Sequence, residues 1–327
     1  MHILIIKTSS MGDIIHCLPV IADIRAHLPE ARIDWVVEDS FVDIPRMCPA
    51  INQVIPVAIR RWRKNIFSKK TWAEISAFKH SLVKYDAVID CQGLTKSALI
   101  SLLVKGTRHG FDWRSGRDPF ASIFYAKNHA VSLQQDAVAR NRELVARALG
   151  YEIPKSAPNY GITIKDDASE SRMAIGFQPD SIIALHGTSR DSKLWPVANW
   201  VALGKALAAK KLHLVLPWAS DTELQRANAI ASQLENAKVL PKLNIAQVAS
   251  VISQARATIG VDTGLTHLAA ALNIPTIAIY ANSDPARNGV IAGAQARAIN
   301  LGNIGVTPTV KEILDKFETL IEPSLPK

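Results

Sequence analysis

Short aliphatic and β-branched runs alternate with helical periodicity from the first residue onward. HILIIK (2–7), RIDWVV (32–37), NQVIPV (52–57) and DAVID (86–90) are apolar on both side-chain faces, as strands of a parallel sheet covered on both sides must be. Between and after them, apolar residues recur at helical spacing over Asp13–Leu28, Trp72–Val83, Thr95–Val104 and Asp136–Leu149, with Gly150 placed as a C-terminal stop. Around Tyr151–Gly161 the pattern lapses into Pro154, Pro158 and small polar residues, which is linker chemistry. The alternation then restarts with SIIALH (181–186), KLHLVLP (211–217), AKVL (237–240), ATIGV (257–261) and PTIAIY (275–280), separated by helical stretches near 197–209, 222–234, 245–255 and 265–272. The reading is α/β: two Rossmann-like, doubly wound parallel-sheet domains, residues 1–152 and 153–327. They are expected to face a central cleft at the carboxyl ends of their strands. The last helical stretch, Val310–Ile321, is expected to pack back on the N-terminal domain.

A length of 327 residues suits two domains, at roughly 150 residues each. Hydrophobic residues make up 48% and charged residues 20%, which excludes disordered and fibrous classes. MHILIIK is too short an apolar run for a signal peptide, and no stretch approaches the roughly 18 apolar residues of a membrane span, so a cytoplasmic protein is expected. Cys17, Cys48 and Cys91 are odd in number and lack C-x-x-C spacing, which argues against a disulfide framework or a zinc site. The net charge of +9 is uneven. Residues 1–150 hold 21 Lys and Arg against 14 Asp and Glu, and residues 151–327 hold 17 against 15. A basic first half attracts nucleic acid, anionic lipid or a phosphorylated small molecule, and charge alone does not choose.

Five segments carry candidate chemistry. In KTSSMGDIIHCLPV (7–20) the small residues Ser9, Ser10 and Gly12 turn the chain at a strand end, and Asp13 opens a helix. Asp13 is there either a first-turn carboxylate favoured by the helix dipole or a general base. The loop has neither G-x-G-x-x-G nor the Walker pattern, so nicotinamide and ATP chemistry lack support. RRWRKNIFSKK (60–70) gathers Arg60, Arg61, Arg63, Lys64, Lys69 and Lys70 around Trp62, as a solvated basic loop, a nucleic-acid patch or a polyanion site. No recognition helix, zinc finger or RNP motif accompanies it, so a compact anionic acceptor fits better, with Arg117 of DWRSGRDPF as a further member. In LHGTSRDSKLWP, Gly187, Thr188, Ser189 and Lys193 offer N–H groups, hydroxyls and a cation to a diphosphate, or form an ordinary polar loop. Ser220 and Glu223 fit a capping box, with a ribose-binding carboxylate as the competing role. GVDTGLTHL ends a strand at Val261 and opens a helix where Thr263 can cap and Gly264 allows close approach, leaving N–H groups for an anion. Asp262 would bind sugar hydroxyls or brace the loop, and His267 is a buried structural histidine or a phosphate donor.

Taken in order, KTSSMGD, RRWRK, HGTSRDSKLWP and VDTGLTHL resemble the lipopolysaccharide heptosyltransferases over essentially the whole chain. S-S-M-G-D looks like the branch that adds the first heptose rather than the second. The resemblance implies a GT-B glycosyltransferase that moves L-glycero-D-manno-heptose from ADP-heptose to the first Kdo of Kdo2-lipid A, with inversion. It implies Asp13 as catalytic base. Thr188, Ser189, Lys193, Glu223, Leu243, Asp262, Thr263, Gly264 and His267 fall at donor-binding positions, and Lys7, Ser10, Arg60, Arg61, Arg63, Lys64 and Arg117 at acceptor-binding ones. Ser189 departs from the family pattern, where many relatives carry a second threonine, but a hydroxyl remains. With no D-x-D sequence, no metal or other cofactor is expected, and peripheral attachment to the inner membrane follows from the lipid acceptor. The rival readings are a related enzyme with a later inner-core acceptor and a non-catalytic sugar-nucleotide binder, which would have no use for Asp13 or the basic loop. A nucleic-acid binder, suggested only by a pI near 9.5, would bind with steep salt dependence.

Overall fold

A computed structural model describes residues 1–164, 178 and 180–321. The chain divides into two units, Met1–Thr163 and Ile164–Lys327. The first holds a six-stranded parallel sheet in the order β3-β2-β1-β4-β5-β6. Its strands are β1 (His2–Ile6), β2 (Arg32–Glu38), β3 (Gln53–Val57), β4 (Lys84–Asp90), β5 (Lys105–Phe111) and β6 (Lys127–His129). The second repeats that order as β12-β11-β10-β7-β8-β9. There β7 is Ser181–Leu185, β8 His213–Leu216, β9 Ala237–Val239, β10 Ala257–Val261, β11 Thr276–Tyr280 and β12 Ala298–Gly302. Each sheet reverses its winding between its first and fourth strands, β1/β4 and β7/β10. In open parallel sheets that switch point, at the carboxyl ends, is where ligands bind.

The apolar runs account for the central strands. Ile3 to Ile6 and Ile182 to Ala184 are fully buried, and burying each such side chain is worth about 1.5–3 kcal/mol. The predicted helix over Asp13–Leu28 is two helices, α1 (Met11–Ile15) and α2 (Pro19–His27). Proline has no N–H to donate into the preceding turn, so Pro19 restarts the helix at its first position. The other helices of the first unit are α3 (Asp43–Arg46), α4 (Ile59–Lys64), α5 (Lys69–Ser81), α6 (Thr95–Ser101) and α7 (Ala137–Leu149). Helix α7 begins on Asp136, which accepts from the Ala139 N–H at 2.9 Å, and ends on Gly150 at φ 80°, a conformation that costs glycine little.

The division of the chain falls later than the linker composition suggests. Arg142 donates to the Ser156 carbonyl at 2.7 Å, the Thr163 N–H donates to the Met47 carbonyl at 2.8 Å, and Tyr160 is buried. These contacts tie the proline-containing stretch to the first unit. The second unit adds α8 (Val197–Ala209), α9 (Asp221–Ala231), α10 (Ile245–Ile252), α11 (Gly264–Ala271), α12 (Pro285–Asn288) and α13 (Val310–Ile321). Helix α13 packs on its own unit, against α8, β11 and β12. Its buried residues Ile313, Phe317 and Leu320 join the core around Trp195 and Trp200, and the Trp195 indole donates to the Pro308 carbonyl at 2.9 Å just before the helix.

Candidate active site

The first unit gathers polar side chains where β1 and β4 end. The Gln92 carboxamide oxygen accepts from the Thr8 and Ser9 N–H groups at 3.0 and 3.1 Å, fixing the turn that leads into α1. Gln92 is itself held by Asp90, whose Oδ1 accepts from the Gln92 and Gly93 N–H groups at 2.8 and 3.2 Å. Lys7 is buried, and its Nζ donates to the Cys91 carbonyl at 2.6 Å, so it joins the two strand ends from beneath. Ser10 precedes α1, and its N–H and Oγ both donate to Asp13 Oδ2, at 2.9 and 2.8 Å. Capping thus occupies one oxygen of Asp13. The other, Oδ1, stands 3.6 Å from Arg117 Nη1, with the Asp13 side chain 25% exposed and Arg117 64% exposed. Burial raises the Asp13 pKa, but Lys7, the two Ser10 donors and Arg117 outweigh it and hold the carboxyl below its ordinary value. Asp13 is therefore an ionised carboxylate near neutral pH, with one oxygen anchored and one accessible.

The basic segment is α4, which follows β3 on the same carboxyl edge, two strands from β1 and so about 10 Å away. Its members are not equivalent. Arg61 pairs with Asp39 at 2.6 Å and Glu74 at 2.9 Å, and Trp62 also donates to Glu74. The Arg60 N–H donates to Glu38 at 3.1 Å, and its guanidinium lies 5.8 Å from the Phe41 ring centroid. Arg63 and Lys64 form no ion pair among the described residues. Sequence reasoning missed Glu38, Asp39, Glu74, Asp90 and Gln92. Only their positions at or beside strand ends next to the switch point could have signalled Asp90 and Gln92.

In the second unit the loops after β7 and β10 are laced together. Thr188 Oγ1 donates to the Asp262 carbonyl at 2.9 Å, and Lys193 Nζ and Ser283 Oγ both donate to Asp262 Oδ2 at 2.6 Å. His267 Nε2 lies 3.9 Å from Oδ1. Burial would raise the Asp262 pKa, but the neighbouring His267, Lys193 and Ser283 outweigh it and hold the carboxyl well below the usual carboxylate range. These contacts brace the loop through Asp262. Lys193 correspondingly spends one of its three donors inside the protein. Thr263 occupies the cap position of α11 but makes no side-chain capping bond, so the first-turn N–H groups beyond Gly264 carry no side-chain cap.

Glu223 forms the expected capping box: Oε2 accepts from the Ala219 and Ser220 N–H groups at 2.8 and 3.2 Å, and Ser220 Oγ accepts from the Glu223 N–H at 3.3 Å. It also lies directly over Gly187, where an added Cβ would stand 2.6 Å from Oε1. Glycine at that position is what lets the carboxylate reach the loop that carries Thr188 and the exposed Ser189. Leu243 is half-buried, packed against the cluster of Leu240, Val248 and Ile252.

Two parallel sheets with the same winding, each with charged loops at its switch point, give the chain a GT-B-like α/β fold. Residues 75–317 match glycosyltransferase family 9 (heptosyltransferase), and the chain belongs to that family. It is 43% identical over 302 residues to lipopolysaccharide heptosyltransferase 1 of Escherichia coli, covering 90% of this chain and 91% of that protein. To lipopolysaccharide heptosyltransferase 1 of Pseudomonas aeruginosa it is 42% identical over 306 residues, covering 93% and 84%. The solved structure of E. coli heptosyltransferase WaaC with ADP superposes with a TM-score of 0.88 at 41% identity, covering 98% of this chain and 99% of that one. The same enzyme with ADP-2-deoxy-2-fluoro heptose gives 0.85 at 40% identity.

Proposed function

We propose that the protein transfers L-glycero-D-manno-heptose from ADP-heptose to the first Kdo of Kdo2-lipid A, in lipopolysaccharide inner-core synthesis. Its identity of 42–44% to lipopolysaccharide heptosyltransferase 1 from three species supports this reading. The observation that carries the mechanism is the Asp13 carboxylate, with Oδ2 fixed by Ser10 and Oδ1 accessible beside Arg117. Asp13 Oδ1 accepts the proton of an acceptor hydroxyl as that oxygen bonds to the anomeric carbon from the face opposite ADP. The bond from that carbon to the pyrophosphate oxygen breaks, and its electron pair leaves with ADP, so the configuration inverts. A carboxylate of depressed pKa is a weak base, so it takes the proton late, once the new bond has made the hydroxyl acidic. Such a base is worth about 10²- to 10⁴-fold.

The departing diphosphate gains charge. Lys193, with two donors to spare, and the uncapped start of α11 are suited to receive it without a metal. Thr188, Ser189, Glu223 and His267 complete the donor site by hydrogen bonding, and Leu243 supplies an apolar wall for the adenine. Arg60, Arg63, Lys64 and Arg117 take the acceptor's carboxylates and phosphates. Arg61 and Lys7, already engaged, shape that site from behind. Among the described residues no helix is long and apolar enough to cross a membrane, and we infer peripheral attachment to the inner membrane's cytoplasmic face. The test is incubation with ADP-heptose and deacylated Kdo2-lipid A, with and without EDTA. A product one heptose heavier in both arms supports the reading. Transfer lost with EDTA removes metal independence, and no product in either arm removes the function.

A further inference from the structure

The connection between α4 and α5 carries exposed apolar side chains that heptose transfer itself does not use. It joins a helix ending in Arg63 and Lys64 to one beginning with Lys69 and Lys70. Within it Phe67 is 98% exposed and Ile66 52%, and Trp72, in the first turn of α5, is 58% exposed. A lone exposed apolar side chain is ordinary, but three large ones within seven residues, with two cations before them and two among them, are not. None of Arg63, Lys64, Lys69 and Lys70 forms an ion pair among the described residues. The carboxylates of Asp39 and Glu74 are taken by Arg61 at the base of the hairpin, so the tip keeps its positive charge.

Topology sets where the tip stands. Helix α5 must return from the carboxyl end of β3 to the amino end of β4, so its first turn and the preceding loop lie at the carboxyl edge of the first sheet. That is the edge holding Asp13 and α4. Aromatic and aliphatic side chains at a tip, with cations just behind them, match a surface that is apolar beneath and anionic at its face, which is an anionic lipid bilayer. A folded protein partner would offer no reason for the full exposure of Phe67 beside unpaired lysines, and nucleic acid would need the cations but not the aliphatic Ile66.

We propose that residues 63–72 dock the first unit on an anionic bilayer, with Ile66, Phe67 and Trp72 seated at headgroup depth and the four cations against lipid phosphates. This rests on the reading of a lipid-linked acceptor and deepens it, because the docking edge is the one that would receive that acceptor. The experiment is co-sedimentation of the full chain with vesicles of phosphatidylcholine alone and of phosphatidylcholine with phosphatidylglycerol. Binding is expected only with the anionic lipid and is expected to weaken with salt. Phe67→Ser with Trp72→Ser should weaken it by about tenfold or more, as loss of interfacial aromatic burial requires. Lys69→Gln and Lys70→Gln should each weaken it by about fivefold.

All these side chains are exposed, so unfolding temperatures should match wild type. Transfer to the deacylated acceptor should be unchanged in F67S/W72S, while transfer to acceptor embedded in vesicles falls. Wild-type protein that ignores anionic vesicles, or F67S/W72S that binds them like wild type, overturns the proposal. Binding that responds to the lysines but not to Phe67 and Trp72 also overturns it, in favour of a purely electrostatic polyanion site. Vesicle binding through Phe67 with no heptose transfer at all would sink the functional reading and leave the docking intact. Transfer to the deacylated acceptor without vesicle binding would do the reverse.

Discussion

Asp13→Asn separates the two tasks that the structure gives one side chain. The amide is isosteric, and its oxygen can still accept from the Ser10 N–H and Oγ, so the turn into α1 keeps its hydrogen bonds. What is lost is the charge. At the N-terminus of a helix that is worth about 0.3–1 kcal/mol, and the exposed Arg117 adds little through solvent. A cost near 1 kcal/mol lowers the melting temperature by about 2–4 °C for a unit of this size. Turnover should fall by at least about a hundredfold, or about 2.7 kcal/mol of barrier, while calorimetric affinity for ADP-heptose stays within about twofold. The pH profile gives an independent check. A carboxyl held below its ordinary 3.8 is ionised at every pH above that value, so the acid limb of kcat/KM due to Asp13 lies below pH 3.8. Arg117→Ala removes one of the cations that depress it, so that limb should move to higher pH. Wild-type turnover in D13N, or a loss of activity matched by a collapse in melting temperature, would refute the assignment of Asp13 as base.

Three further outcomes follow from contacts in the second unit. Asp262→Asn gives up charge-assisted bonds to Lys193 and Ser283 and should cost about 2 kcal/mol in urea unfolding at neutral pH. Because the folded carboxyl is depressed, its contribution is present above the ordinary 3.8 and lost as pH falls toward the folded value. The gap between wild type and variant should therefore close on acidification below that point, and a gap independent of pH would deny the ion pair its role. Gly187→Ala places a Cβ 2.6 Å from Glu223 Oε1 and should push that carboxylate off its capping bonds, costing about 1 kcal/mol and weakening ADP-heptose binding in calorimetry. Unchanged affinity would mean that Glu223 has no part in the donor site. Phe317→Ala in α13 should destabilise the second unit by about 3–5 kcal/mol on denaturant titration, and a loss under 1 kcal/mol would contradict its place in that core.

The sequence made the central strands legible because they are covered on both faces: β1, β7, β10 and β11 are nearly continuous apolar runs. It hid β5, whose KGTRHGF alternates exposure over its first half, and the edge strands β6 and β12, where KNH and AINLG carry too little apolar signal. It also read one helix across Pro19, because the apolar spacing continues through the break while the hydrogen-bond ladder does not. The candidate site divides in the same way. Residue types were readable: a carboxylate at a tight turn, cations on one loop, a glycine opening a helix. Pairings were not, since Lys193 and Asp262 lie 69 positions apart and only closure of the β7/β10 switch point brings them together. Gln92, without charge or motif, was invisible, although its oxygen fixes the turn that presents Asp13.

The repeated strand order explains why chemistry gathers where it does in both units. In each, the loop after the first strand and the loop after the fourth emerge side by side, because helices on either side of them wind in opposite directions. Each unit fastens that pair of loops with a polar group: the Gln92 oxygen for Thr8 and Ser9, and the Asp262 carboxylate for Lys193. One fastening is neutral and the other charged, and that difference suits the two tasks. An anionic fastening beneath the first pair would raise the proton affinity of Asp13 and draw Arg117 away from it. An anionic fastening beneath the second keeps Lys193 aimed, with donors left for a diphosphate. Gln92→Glu is the change that would expose this logic. It should raise the Asp13 pKa and shift the acid limb of kcat/KM upward, with the affinity for ADP-heptose unmoved.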